Sequence, residues 1–132
     1  MSATQPETGT SRAPLGTFVQ ARSGDKGGDA NLGLWVTHDG SPLREERVRW
    51  LLATVSPAYV RRMLPESEGL EIEVHPLPNL GGVNVVLRGL LGAGVAASTR
   101  FDPQAKALGE WARARLVDLP THLLDRPHED DR

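Results

Sequence analysis

The chain is 132 residues long, has no cysteine and carries a formal charge of −2 at pH 7. That length fits one domain that buries a core without cross-links, and the missing cysteines exclude disulfides, thiolate metal sites and cysteine nucleophiles, which fits a cytoplasmic setting. The small net charge gives no pull toward nucleic acid or an anionic bilayer, and no apolar run reaches membrane-spanning length.

The first 13 residues, MSATQPETGTSRA, lack the apolar stretch of a signal peptide and read as a disordered polar leader. LGTFVQAR (Leu15 to Arg22) alternates loosely and predicts a strand. A glycine-rich loop follows, and then NLGLWVTH places Leu32, Leu34 and Val36 on one face of a second strand. Ser41-Pro42 reads as an N-cap followed by a first-turn proline, opening a helix with Val48, Leu51, Leu52 and Val55 at helical spacing and an outer Glu45–Arg49 pair. Ser56-Pro57 repeats the cap and opens a second short helix, through Leu64, which Pro65 stops.

LEIEVHPL alternates Leu70, Ile72 and Val74 against Glu71, Glu73 and His75, the clearest half-buried strand in the chain. VNVVLRGLL (Val83 to Leu91) is a more apolar, central strand, and VAASTRF a possible fifth. A last helix is predicted over residues 102–119, with Asp102 as N-cap and Ala105, Leu108, Ala112 and Leu116 as its apolar stripe. Together these elements predict an α+β fold: a two-layer α/β sandwich with a mostly antiparallel sheet and its helices on one face. The expected limits are a leader at 1–13, a single domain at 14–119 and a polar tail at 120–132.

Two stretches read as places for chemistry. ARSGDKGGDANLG (Ala21 to Gly33) concentrates glycines whose backbone N–H groups can converge on an anion. Arg22 and Lys26 can neutralise a phosphate or carboxylate, and Asp25, Asp29 and Asn31 offer hard oxygens. The stretch is neither a Walker A sequence nor a dinucleotide fingerprint, and its acidic spacing is wrong for an EF-hand. Its GDKG has the form of a KH-domain loop but joins two strands rather than two helices. The plain alternative is a long hairpin loop with solvated charges. In LPNLGGVNVVLRGLLGAGVAAS, Asn79 and Asn84 flank Gly81-Gly82, and Gly92 and Gly94 precede Ser98. If the sheet brings both stretches to one cleft, the asparagines can read a carbonyl or amide; otherwise the glycines serve a bulge and tight turns.

The remaining polar residues have bland readings. The four histidines show no metal-ligand spacing, and His75 sits on the polar face of its strand. Ser23 and Ser98 have no visible triad context. The arginines at 44, 47, 49, 61 and 62 read as a solvated helical face, and Trp35, Trp50 and Trp111 as packed in or near the core.

ARSGDKGGDANLG, LPNLGGVNVVLRGLLGAGVAAS and FDPQAKALGEW together resemble the C-terminal, ferredoxin-fold domain of the AtuA-type acyclic terpene utilisation proteins, over about Leu15 to Leu116. The resemblance implies a ferredoxin-like α/β sandwich and a place in bacterial breakdown of acyclic terpenes or related acyl-CoA compounds, with no reaction and no cofactor specified. The positions meeting the family pattern are Arg22, Ser23, Gly24, Asp25, Lys26, Gly27, Asn31, Asn79, Asn84, Gly92, Gly94, Asp102 and Lys106. Full-length proteins of that family carry a long N-terminal domain before this one, so a separately encoded larger AtuA-type domain is an expected partner, and the chain an expected homo-oligomer. Three functions follow as expectations. One is an accessory subunit. Another is a self-contained binder or enzyme for a CoA thioester or phosphate, with Lys26 holding the anion and Asp25 as acid/base or as the ion-pair partner of Lys26. The last is a structural or dimerisation module in which the loop is only a conformational device.

Overall fold

The computed structural model describes residues 9–26, 28–67, 69–88 and 107–124, with the side chains of Asp25, Lys26 and Glu66 outside the description. Its strands are β1 (Thr10–Pro14), β2 (Val19–Lys26), β3 (Asp29–Val36), β4 (Glu71–Leu77), β5 (Gly82–Arg88) and β6 (Leu116–Pro120). Its helices are α1 (Arg44–Thr54), α2 (Pro57–Met63) and the helical residues 107–114, called α3. β2, β3, β5 and β4 form one antiparallel sheet in that order, and β1 and β6 pair as a separate antiparallel ribbon. The fold is the expected α+β sandwich of ferredoxin-like type.

The main sheet is two-faced because its central strands alternate. In β3, Ala30, Leu32, Leu34 and Val36 are buried while the residues between them are half-exposed. Cross-strand pairing carries the same face into β5, where Leu34 lies opposite Val83 and Leu32 opposite Val85, and on into β4, where Val74 lies opposite Val85. These apolar side chains merge with Leu51 of α1, Val60 of α2 and Leu108 and Ala112 of α3 into a single core. Removing that much apolar surface from water is the main favourable term in folding.

Local chemistry places the helices. Ser56 caps α2 by accepting the Tyr59 N–H at 3.1 Å, with Pro57 in the first turn, as expected. α1 differs: Ser41 Oγ accepts from Leu43 N and its carbonyl from Arg44 N, so Ser41-Pro42 makes a turn, and the helix begins at Arg44 without a side-chain cap. Glu45 and Arg49 pair at 3.6 Å on the solvent side. α3 is tied to β2 by side chains: Ser23 Oγ accepts from Gly109 N at 2.8 Å, and Arg113 donates to the carbonyls of Val19 and Gly16.

Further sequence expectations are corrected. The glycine-rich "loop" is mostly strand: β2 and β3 stay paired out to Lys26 opposite Asp29, leaving two residues between them. Its polar residues masked the period-two pattern. The last helix does not run to 119, because Leu116–Pro120 leave it to pair with β1, and Leu116 is exposed rather than part of an apolar stripe. Thr10–Ala13, read as leader, form most of β1, and Leu123, read as tail, is buried. A strand whose partner lies about a hundred residues away leaves no local signal. The ribbon closes with Thr121 N donating to Gly9 O at 2.9 Å. The fifth strand considered over VAASTRF and the Asp102 cap lie outside the described residues.

Arg47 is a further correction. It is 2% exposed, not part of a solvated face. Its Nε donates to the Leu123 carbonyl at 2.8 Å, its guanidinium stands 4.7 Å from the centre of the Phe18 ring, and Nη1 lies 3.7 Å from Asp39 Oδ2. Phe18 in turn meets Trp50 edge-on, with centroids 5.6 Å apart. One buried cation therefore joins α1, the start of β2, the turn after β3 and the turn after β6. Arg47→Ala is expected to cost about 3 kcal/mol of stability, through a buried carbonyl left unpaired and a void beside Phe18. Urea unfolding of the two proteins measures it, and a loss under about 1 kcal/mol would show that water takes over the arginine's contacts.

Candidate functional site on the sheet face opposite the described helices

Residues between the buried positions point away from the helices. They form rows across the four strands: Gln20, Trp35, Gly82 and Leu77; then Arg22, Gly33, Asn84 and His75; then Gly24, Asn31, Val86 and Glu73. A cleft of about 480 Å³ opens on this face. Trp35, Leu77 and Leu80 supply apolar walls, Gly33 and Gly82 lie in its lining, and Arg22, Asn31, Asn84, His38 and His75 bring polar atoms to it. The volume is that of a small-molecule site, and the mix of apolar wall with a few converging polar groups is what such sites use.

The two stretches singled out in the sequence meet here. Asn31 Nδ2 donates to Asn84 Oδ1 at 3.4 Å, a long bond that leaves Asn31 Oδ1 and Asn84 Nδ2 without side-chain partners among the described residues. Arg22 is exposed at the cleft and has no partner among the described residues. Other expected residues fall elsewhere. Ser23 is on the helix side, bonded to α3. Gly24 is beside Asn31 on the open face, and Asn79 is exposed in the turn before β5 and outside the cleft lining. Asp25 and Lys26 occupy β2 positions opposite Ala30 and Asp29. Gly27, Gly92, Gly94, Asp102 and Lys106 lie outside the described residues.

Sequence reasoning missed Trp35, His38, Glu73 and Arg88. Trp35 is not with the core; it faces the cleft, as its place between Leu34 and Val36 required. His38 is held at the rim by Arg44, whose Nη2 lies 3.1 Å from His38 Nε2. A guanidinium can only donate, so that ring nitrogen accepts. Arg44 also donates to the carbonyls of Thr37 and Val36 and so fixes the end of β3. Gly81, at φ +72, turns the chain into β5, and a side-chain carbon on Gly82 would collide with the Leu34 carbonyl oxygen. That pair of glycines has the backbone role considered for it in the sequence.

Beside the cleft runs a charged cluster over three strands. Arg88 of β5 donates to both carboxylate oxygens of Glu73 on β4, at 2.6 and 3.2 Å, and to Asp29 of β3 at 3.2 Å; His75 Nε2 lies 3.1 Å from Glu73 Oε1. The Arg88 hydrogen bonds, and after them His75, hold the Glu73 carboxyl below its ordinary 4.5, and Glu73 raises the Arg88 guanidinium in return. A carboxyl with a lowered folded pKa stabilises the fold above its unfolded pKa and loses that contribution as pH falls through the lower value. The stability difference between the protein and Glu73→Gln should therefore be widest above pH 4.5 and close below it. Urea midpoints across that range test this; a difference independent of pH would mean that the carboxylate's charge is not what Arg88 and His75 hold.

Among the described residues, no group of three or more His, Asp or Glu converges as a metal site, and no helix is long and apolar enough to cross a membrane. No curated protein and no solved structure matches the chain at a significant level. The family model of the AtuA ferredoxin-like domain matches residues 13–117, which takes in β2 to β5, all three helices and both glycine-rich stretches. The chain belongs to the AtuA ferredoxin-like domain family.

Proposed function

We propose that this chain is an accessory domain of acyclic terpene or acyl-CoA breakdown, and that its part is to bind a small, largely apolar, acyl-bearing ligand on the sheet face opposite the described helices. The observation that carries the reading is the cleft of about 480 Å³, with Trp35, Leu77 and Leu80 as walls and Asn31, Asn84 and Arg22 as its polar end. The asparagine pair suits a carbonyl. Asn84 Nδ2 can donate to the carbonyl oxygen, while Asn31 Oδ1 stays open to a hydroxyl or amide of the same ligand. The glycine-rich hairpin contributes through Arg22 and Asn31. Asp25 and Lys26, first considered for acid/base chemistry and anion binding, carry no step in this proposal.

A second reading is favoured by a separate observation. Leu80 is 62% exposed and Leu77 38% exposed, both at the cleft. An apolar rim of this kind suits the expected larger AtuA-type domain, closing over the ligand from above. The two readings are compatible, since a ligand held between two domains is buried by both.

Titration of isotope-labelled protein with branched acyl compounds, followed by amide and indole NMR signals, tests the first reading. Binding is expected to move the side-chain signals of Asn31, Asn84 and Trp35 together, and Trp35→Ala to weaken affinity by roughly tenfold through lost apolar contact. Shifts confined to α2 or the β1–β6 ribbon, or none across the panel, would overturn it.

A further inference from the structure

We infer that the ligand of this cleft carries a carboxylate, held by Arg22, on an apolar body that lies flat over Gly33. The inference rests on the cleft being the binding site and names the chemical class of what binds there.

Charge comes first. Among the described residues lining the cleft there is one arginine, two histidines and no aspartate or glutamate. Of the described acidic residues of this face, Glu73 and Asp29 are engaged by Arg88 in the neighbouring cluster, and Glu71 lies opposite Arg88 at the start of β4, outside the cleft lining. Arg22, by contrast, has no partner among the described residues. An unpaired guanidinium at the end of an apolar trough is a planar, two-pronged donor, and a carboxylate matches it in charge and geometry. A phosphate monoester brings up to two negative charges and three acceptor oxygens, more than a single arginine satisfies.

Shape comes second. Gly33 sits in the row between Arg22 and Asn84, opposite both across the pairing. Glycine inside a strand weakens it, and usually a bulge, a positive φ or a close backbone contact accounts for its presence. Gly33 has none of these. It is not among the glycines at positive φ, and an added Cβ would make only ordinary contact, 3.7 Å from the Arg22 carbonyl oxygen. The contrast with Gly82 is direct, since there the backbone itself forbids a side chain. What the absent side chain at Gly33 leaves is floor space between the arginine and the asparagine pair. A chain that enters along Trp35 and Leu77 can cross this floor and bring its head group to Arg22.

Octanoate, 1-octanol and octyl phosphate, titrated by calorimetry and NMR into the protein and into two variants, separate charge from shape. Octanoate is expected to bind more tightly than the other two. Arg22→Gln should weaken octanoate by roughly ten- to hundredfold and leave octanol unchanged. Gly33→Val should keep or raise the urea midpoint, because valine favours a strand, yet abolish binding of all three. If octanol or octyl phosphate binds as well as octanoate, and Arg22→Gln does not discriminate, the carboxylate assignment is wrong while loss of binding in Gly33→Val keeps the cleft as the site. If none of the three binds, or Gly33→Val binds them all unchanged, both the assignment and the cleft reading fall.

Discussion

Because Ala30, Leu32, Leu34 and Val36 all turn toward the helices, the residues between them have to turn the other way. A one-residue slip of β3 against either neighbour would send leucines into solvent and Asn31 and Trp35 into the core, so the hydrophobic face locks the register of the whole sheet. That lock places Gly33 opposite both Arg22 and Asn84, and Asn31 within reach of Asn84. The polar arrangement on the open face is thus specified by burial on the closed one. The polar residues of the cleft do not have to contribute to stability for the cleft to have its shape.

The closed face needs its own fastening, and side chains supply much of it. Arg47 reaches from α1 to the Leu123 carbonyl and covers Phe18. Arg113 and Ser23 tie α3 to β2. Arg44 pins the end of β3 while holding His38 at the cleft rim. Three arginines that sit on helices thereby act on the carbonyls of strands and turns, where a planar multi-donor group can satisfy acceptors left at element ends. With the described helices fastened to one side, no described helix covers the other side of the four-stranded sheet, which is where a ligand or partner can approach.

Much of the fold was legible in the sequence, and the limits have physical causes. The alternation in β3, β4 and β5 and the Ser56 cap were readable because period-two patterns and caps are local. The same alternation already placed Trp35 and His75 on the open face; residue type argued otherwise for Trp35, and position was the better guide. The glycine-rich hairpin hid its strands because most of its positions are polar or glycine. β1 was invisible because its partner is β6, at the far end of the domain, and β6 was absorbed into a helical stripe that Leu116 and Leu119 happen to continue. Arg47 could not be told from its solvated neighbours, since burial of a charge depends on a carbonyl and a ring that other segments deliver. For the cleft, the asparagines and Arg22 were named from composition, while Glu73 and Arg88 emerged only from cross-strand pairing.

The β1–β6 ribbon has a consequence for how the domain can be joined to others. Its two strands run antiparallel with Thr10 opposite Pro120, and Gly9 and Thr121 are bonded backbone to backbone. The polypeptide therefore arrives and departs through the same doorway. A domain spliced before β1 or after β6 hangs from one hinge point, and the order of two such domains along a gene can be reversed without moving either in space.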